Sequence, residues 1–211
     1  MMTLRHLFVI EKGSQIDYQV NVAKGLPYHQ FQLTVFLEDD YVEENKELLI
    51  DWLTQYNRFP LTAYVAAYDD MFQDIDALLS EWKITYEKVI KATEKKPVYI
   101  IHLANAKQLK QVVSAFYWLP AQNEIMLLTD CKETVTLTER KVSPKSSYTN
   151  LGAEIYLSSK NCSVITIEHD GQGIGVVTTV ESLGSVEGIQ KSISKGYAIQ
   201  QWDEEVLIRF E

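Results

Sequence analysis

Cysteine is nearly missing from this chain of 211 residues, with two, and glycine and proline are sparse, with nine and five. Cys131 and Cys162 stand alone, which provides neither a disulfide framework nor the C-x-x-C spacing of a metal or redox motif. So little glycine and proline, with 46% hydrophobic residues, excludes long structureless tracts and describes an ordinary globular protein. Long apolar runs are missing too. The charge-free stretch VVSAFYWLPA, residues 112–121, is interrupted by Pro120 and falls short of a membrane span. Near the start, the apolar residues 7–10 give way at once to Glu11 and Lys12, too soon for the core of a signal peptide. The expectation is a soluble, cytoplasmic protein without a membrane partner. Positive charge is the minority sign, at 20 Lys and Arg against 29 Asp and Glu, for a net charge of −9. That balance argues against nucleic-acid partners, whose recognition rests on clustered Lys and Arg.

Several catalytic signatures are absent as well. No Gly-Lys-Ser or Gly-Lys-Thr of a phosphate-binding loop occurs, no G-x-S-x-G nucleophile elbow, and no calcium loop of the D-x-[DN]-x-[DN]-G type. The one glycine-rich stretch is ITIEHDGQGIGVV, residues 165–177. A dinucleotide fingerprint needs its glycines between a strand and a helix N-terminus, where free N–H groups meet phosphate. Here the spacing is G-x-G-x-G and the sequence that follows is β-rich, VVTTV. The stretch therefore reads as a hairpin with Asp170 to Gly173 as its loop, pairing His169 with Ile174, Ile167 with Val176 and Ile165 with Thr178.

Hydrophobic periodicity supplies the rest of the outline. Three strands open the chain, near residues 4–10, 15–23 and 30–37, and a helix with an apolar stripe of Val42, Leu49, Trp52, Leu53 and Tyr56 follows over 40–56. A short apolar strand over 61–67 leads into the spacing Phe72, Ile75, Leu78, Leu79, Trp82, Tyr86, Val89, Ile90, which predicts one helix over 70–93. A strand after Pro97, a helix capped by Asn105 with Gln108 as box partner, and a strand over 124–130 complete the middle. Further strands are expected near 134–140, 154–158, 163–169 and 174–180. A short helix over 186–194 has Ser185 as N-cap and Gly196 beyond its end, and strands over 197–202 and 204–210 close the chain. The resulting fold class is mixed α/β (α+β). Antiparallel N-terminal strands lead into a βαβαβ core with a parallel sheet, and a smaller β-rich C-terminal part follows. Residues 1–140 form the first domain and 153–211 the β-rich subdomain, with 141–152 as a loop between them, unless the whole is one continuous domain.

Two groups of residues are candidates for function. Between residues 38 and 51 seven carboxylates, Glu38, Asp39, Asp40, Glu43, Glu44, Glu47 and Asp51, face Lys46 alone. Glu43, Glu47 and Asp51 recur every four residues, a spacing at which like charges repel on a helix. Such a face is either plainly solvated or kept for a basic protein partner, and the leading expectation is an interaction or regulatory module, inhibitor or immunity-like, with no cofactor. Asp39, Asp40, Glu43, Glu44, Glu47 and Asp51 are its binding residues. The competing expectation is a metal-dependent phosphoester hydrolase. In an open parallel sheet, ligands collect at the carboxyl ends of strands. Those ends would bring Asp69, Asp70, His102 and Asp130 together, with Asp70, His102 and Asp130 holding Mg²⁺ or Mn²⁺. Taken singly, Asp69 or Asp70 reads as a helix cap and His102 as a histidine within an apolar strand.

Overall fold

The computed structural model describes residues 5–11, 20–23, 25–35, 40–68, 71–90, 97–120, 124–141, 149–193 and 197–201. Twelve strands and four α-helices lie within them. In chain order these are β1 (Arg5–Glu11), β2 (Val20–Val22), β3 (His29–Val35), α1 (Tyr41–Tyr56), β4 (Leu61–Ala66), α2 (Phe72–Glu81), β5 (Thr85–Ile90) and β6 (Pro97–Leu103). Then follow α3 (Ala106–Phe116), β7 (Met126–Thr129), β8 (Val135–Lys141), β9 (Thr149–Ile155), β10 (Ser163–Ile167), β11 (Ile174–Thr178), α4 (Val186–Ser192) and β12 (Tyr197–Gln201). The strand expected over 204–210 lies outside the described residues, as does Gly196.

Nine strands form one sheet in the order β12-β1-β3-β11-β10-β7-β4-β6-β5, and β2-β9-β8 form a second. The fold is mixed α+β, as the sequence indicates, but the central strands are not parallel. β4 runs antiparallel to both β6 and β7, and β5 antiparallel to β6. It follows that α2 joins two parallel strands, β4 and β5, with β6 between them. Likewise α3 joins β6 and β7 with β4 between them. This is the split βαβ arrangement, and the segment from β4 to β7 is one βαββαβ unit. The remaining elements repeat it. β3, α1, β10, β11, α4 and β12 follow the same order of strands and helices, with β1 added beside β12, its only parallel neighbour in this sheet. The β4–β7 unit is thus inserted between α1 and β10 of the other, and the antiparallel β7–β10 pairing joins them.

Alternation along the strands explains the layers. Leu7 and Val9, Phe31 and Leu33, Ala63 and Val65, Tyr99 and Ile101, Ile165 and Ile167, and Ile174 and Val176 share one core with the buried faces of all four helices. Tyr64, Ala66, Val98, Leu127, Val164 and Val177 point the other way and pack with Val20, Val135, Leu151, Ala153 and Ile155 of the small sheet. Strands buried on both faces read as unbroken apolar runs, which is why LTAYVA and MLLT show no polar alternation.

Three sequence expectations are corrected. The helix over 70–93 ends at Glu81, where Lys83 takes a left-handed conformation with φ 56°, and Thr85–Ile90 continues as β5. The residues TYEKVI fit both periods over so short a span, and the chance to pair with β6 together with their β-branched content selects the strand. β2 leaves the N-terminal strands to pair in parallel with β9, while β1 and β3 pair antiparallel as expected. Of the segment 141–152 expected as a loop, Lys141 and residues 149–152 belong to the β8–β9 ladder, and residues 142–148 lie outside the described residues.

Candidate functional site

The glycine-rich stretch is a hairpin, with its register two residues from the expected one. Ile167 pairs with Ile174, Ile165 with Val176 and Ser163 with Thr178. The loop is correspondingly longer, and His169–Gly171 forms a 3-10 turn in which Asp170 and Gly171 take positive φ, 61° and 67°. Its polar groups are spent internally. Thr34 Oγ1 and Asn45 Nδ2 donate to the Gln172 carbonyl at 2.6 and 3.2 Å, and Tyr117 donates to the Gly171 carbonyl at 3.3 Å. The Gln32 amide donates to the Glu168 carboxylate beneath the loop. A Cβ on Gly173 would lie 2.8 Å from Glu168 Oε2 and 3.2 Å from the Leu33 carbonyl, so a larger residue here would have to displace the Glu168 carboxylate. Burial, with a smaller contribution from Glu168, drives the Tyr117 hydroxyl far above its ordinary pKa, so it stays a donor. The loop is a structural joint between α1, β3 and the end of α3.

The acidic helix α1 buries Asn45, Leu48, Leu49, Trp52 and Leu53. The Asn45 side chain accepts from the Val35 N–H at 2.8 Å, which fixes the register of α1 against β3. Asp40, Glu43 and Asp51 are exposed on the other face, and Glu44 and Glu47 are half-buried. Glu43 pairs with Lys46, the one cation of the helix. Asp39 lies outside the described residues. Glu43 and Glu44 occupy the first turn, where carboxylates favour the helix dipole, but Asp51 has no such justification.

The proposed convergence of Asp69, Asp70, His102 and Asp130 loses its premise. Because β4 is antiparallel, its carboxyl end lies beside the starts of β6 and β7, at the far end of the sheet from His102 and Asp130. Asp69 and Asp70 lie outside the described residues. His102 and Thr129 flank Thr62 on opposite sides, so β4 separates His102 from Asp130. The His102 Nε2 faces Glu87 Oε1 at 3.3 Å, a cross-strand neighbour of its own sheet edge.

Asp130 has different company. Its Oδ2 meets Arg58 Nε at 3.0 Å, and its Oδ1 accepts from the Ser163 N–H at 2.7 Å. Burial works against the Arg58 charge, but the Tyr56 hydrogen bond and the Asp130 carboxylate outweigh it and raise the guanidinium pKa further. Arg58 also donates to the Asn161 carbonyl at 2.5 Å and lies over the Tyr56 ring, 5.8 Å from its centre. Two cysteines complete the cluster. One donor atom each of Asp130, Cys131 and Cys162 lies within 4.8 Å of the other two. Thr134 Oγ1 sits 3.2 Å from the Cys162 sulfur. Burial is the main cause that pushes both thiols up in pKa. For Cys131 the neighbouring Cys162 and Asp130 add to it, whereas for Cys162 the Cys131 and Thr134 hydrogen bonds offset part of it. Protonated thiols are poor nucleophiles, which argues against covalent catalysis here. Sequence spacing could not reveal this pair, because thirty residues and two strands separate Cys131 from Cys162.

A cleft of about 350 Å³ lies between the end of α1 and α4, bordered by Gln55, Tyr56, Leu183, Gly188 and Lys191. Among the described residues Lys191 and Tyr56 are its titratable side chains. A last polar cluster joins α2 to the sheet edge. Lys88 Nζ meets Asp76 Oδ2 at 2.7 Å and stands 5.3 Å from the centre of the Tyr99 ring. Burial pushes the Asp76 carboxyl up, but hydrogen bonds from Lys88 and Tyr86 outweigh it and hold the pKa below the ordinary range. Lys88 is raised, chiefly by its hydrogen bond to Asp76. A depressed carboxylate stabilises the fold above its unfolded pKa, ~3.9, and loses that contribution as pH falls through the folded value. A raised lysine keeps its share up to its unfolded value, ~10.4, and loses it as pH rises through the folded one. Asp76→Asn should therefore lower the urea midpoint between about pH 4 and 10, and the gap to wild type should close in stronger acid. A gap that persists unchanged at pH ~2 would show that the carboxylate charge contributes nothing.

Compared with known proteins, the chain matches no family model, no curated protein and no solved structure. No helix among the described residues is long and apolar enough to cross a membrane.

Proposed function

We propose that the protein is a binding module that offers the outer face of α1 to a basic partner. The observation that carries this reading is the exposure of Asp40, Glu43 and Asp51 along one helix whose only cation, Lys46, is paired with Glu43. Glu44 and Glu47 lie between them and add to the same field. The overall charge of −9 acts in the same direction over longer range. A surface of this kind steers a cationic partner and sets the rate of encounter more than the final affinity. Like charges at i, i+4 cost a few tenths of a kcal/mol per pair, and in the row Glu43, Glu47, Asp51 the Glu43–Lys46 pair offsets part of that cost.

The test is a combined Asp40→Lys, Glu43→Lys, Asp51→Lys variant, three positions whose side chains are exposed. Binding of a Lys- and Arg-rich peptide, followed by fluorescence anisotropy, should weaken at least ~10-fold, about 1.4 kcal/mol. Association to the wild-type protein should slow as salt rises, since the Debye length falls from ~10 Å at 0.1 M. Unfolding free energy should change by no more than ~1 kcal/mol. Equal binding by both proteins, or binding indifferent to salt, overturns the reading.

A further inference from the structure

We propose that Cys131, Cys162 and Asp130 form a binding site for a soft divalent ion of the zinc class, with two sulfur ligands and one oxygen. The site is built by strand register. β7 and β10 pair antiparallel with Thr129 opposite Val164, so the next positions place Asp130 by Ser163 and Cys131 across from Cys162. The Asp130 N–H donates to the Ser163 carbonyl at 3.4 Å, and the two strands part just beyond it. The cysteines therefore face each other at the mouth of the ladder.

The donor set fits the ion in kind. Thiolates select zinc and its heavier congeners over Mg²⁺ or Ca²⁺, which prefer oxygen. The three donor atoms lie within 4.8 Å of one another. Bonds of ~2.3 Å to sulfur and ~2.0–2.2 Å to oxygen require them to approach to roughly 3.5–3.8 Å, a contraction of at most about 1 Å. Cys131 is only half-buried and is the side chain able to make that adjustment, whereas Cys162 is fully buried. The fourth position is open to solvent from the Cys131 side or to the Thr134 hydroxyl, which already touches the Cys162 sulfur.

Charge and orientation also fit. Asp130 and Arg58 already form a neutral pair, so replacing two thiol protons by an ion of charge +2 leaves the pocket neutral. A carboxylate offers about four lone-pair sites, and the Ser163 N–H and Arg58 occupy two. Those same two contacts hold the carboxylate in place, as outer partners of metal ligands usually do. Binding M²⁺ forms two metal–sulfur bonds and releases both thiol protons to solvent, with no change of oxidation state. Because two protons leave for each ion bound, the affinity rises with pH.

The experiment is a Cd²⁺ titration of the full, reduced chain, read by the ultraviolet thiolate-to-metal charge-transfer band. Expected are saturation at one ion per chain, displacement by Zn²⁺, and affinity rising by up to about a hundredfold per pH unit while both thiols are protonated. Cys131→Ser should abolish the band, and Asp130→Asn should weaken the affinity about tenfold or more. Because either variant could unfold, a second measurement uses the wild type alone. Zn²⁺ should slow alkylation of Cys131 by iodoacetamide at least ~10-fold, the protection expected of a bound thiolate. No saturable band, a full band in folded Cys131→Ser, or alkylation indifferent to Zn²⁺ overturns the proposal. So does a Cys131–Cys162 disulfide that an added thiol oxidant, diamide, forms equally fast with and without Zn²⁺.

Discussion

Trp52→Ala should lower the unfolding free energy by about 3–5 kcal/mol, the largest loss expected of any single truncation in α1. The side chain is 1% exposed and packs in the core between the helices and the nine-stranded sheet. Its ring stacks on Tyr56 at 6.4 Å between centres, and its indole N–H donates to Ser192 Oγ at 2.9 Å. Ser192 in turn donates to the Ile189 carbonyl at 2.7 Å, so the indole is joined to the backbone of α4. α1 and α4 are the two helices of the interrupted βαββαβ unit, and Trp52 is where they are tied together. Alanine would leave a void among Leu48, Leu49 and Leu53, close-packed on a helix that has little room to collapse. Trp52→Phe separates the contributions, since it keeps most of the apolar volume and removes the indole donor from Ser192, which still donates to Ile189, at a cost of roughly 1 kcal/mol. Equilibrium urea unfolding measures both. A loss below about 1 kcal/mol for alanine would mean that α1 is not docked on α4.

Sequence periodicity discloses faces more readily than partners, and this molecule shows the difference residue by residue. The buried stripe of α1 was legible in Leu49, Trp52 and Leu53. The capping of α3 and α4 was legible too, since Asn105 accepts from the Gln108 N–H and Ser185 from the Gly188 N–H, each at 3.1 Å. The β10–β11 hairpin was legible from Ile165, Ile167, Ile174 and Val176, though not its register. A shift by two residues leaves every side chain on the same face, so alternation carries no information about it. The direction of β4 was not legible either. LTAYVA is buried on both sides, and an apolar strand reads the same beside parallel or antiparallel neighbours. That one ambiguity produced the expected cluster of Asp70, His102 and Asp130. The repeated βαββαβ order is equally silent in sequence, because one unit interrupts the other and β1 is inserted between β12 and β3. Asp130 does follow the end of an apolar strand, as EIMLLTD indicates, but its partners Arg58 and Cys162 come from other parts of the chain.

Asp130→Ala should cost about 3 kcal/mol, and the reason lies in what it leaves behind. The Asp130 side chain is 8% exposed and Arg58 31%, so the guanidinium would remain half-buried without its carboxylate. The Ser163 N–H would lose its acceptor as well, at the point where β7 and β10 part. Arg58 keeps the Asn161 carbonyl and the Tyr56 ring, which places the loss at the lower end of the range for a broken buried pair. Arg58→Met alone should cost about as much, since it strands the more buried charge of the two, although Asp130 retains the Ser163 N–H. Removing both partners removes the stranded charge. The double variant should then be more stable than the two single losses add up to, with a coupling of about 1–2 kcal/mol in a double-mutant cycle read by urea unfolding. Additive losses would mean that Arg58 and Asp130 do not sense each other, and the neutral pair on which the adjoining thiol site depends would disappear with them.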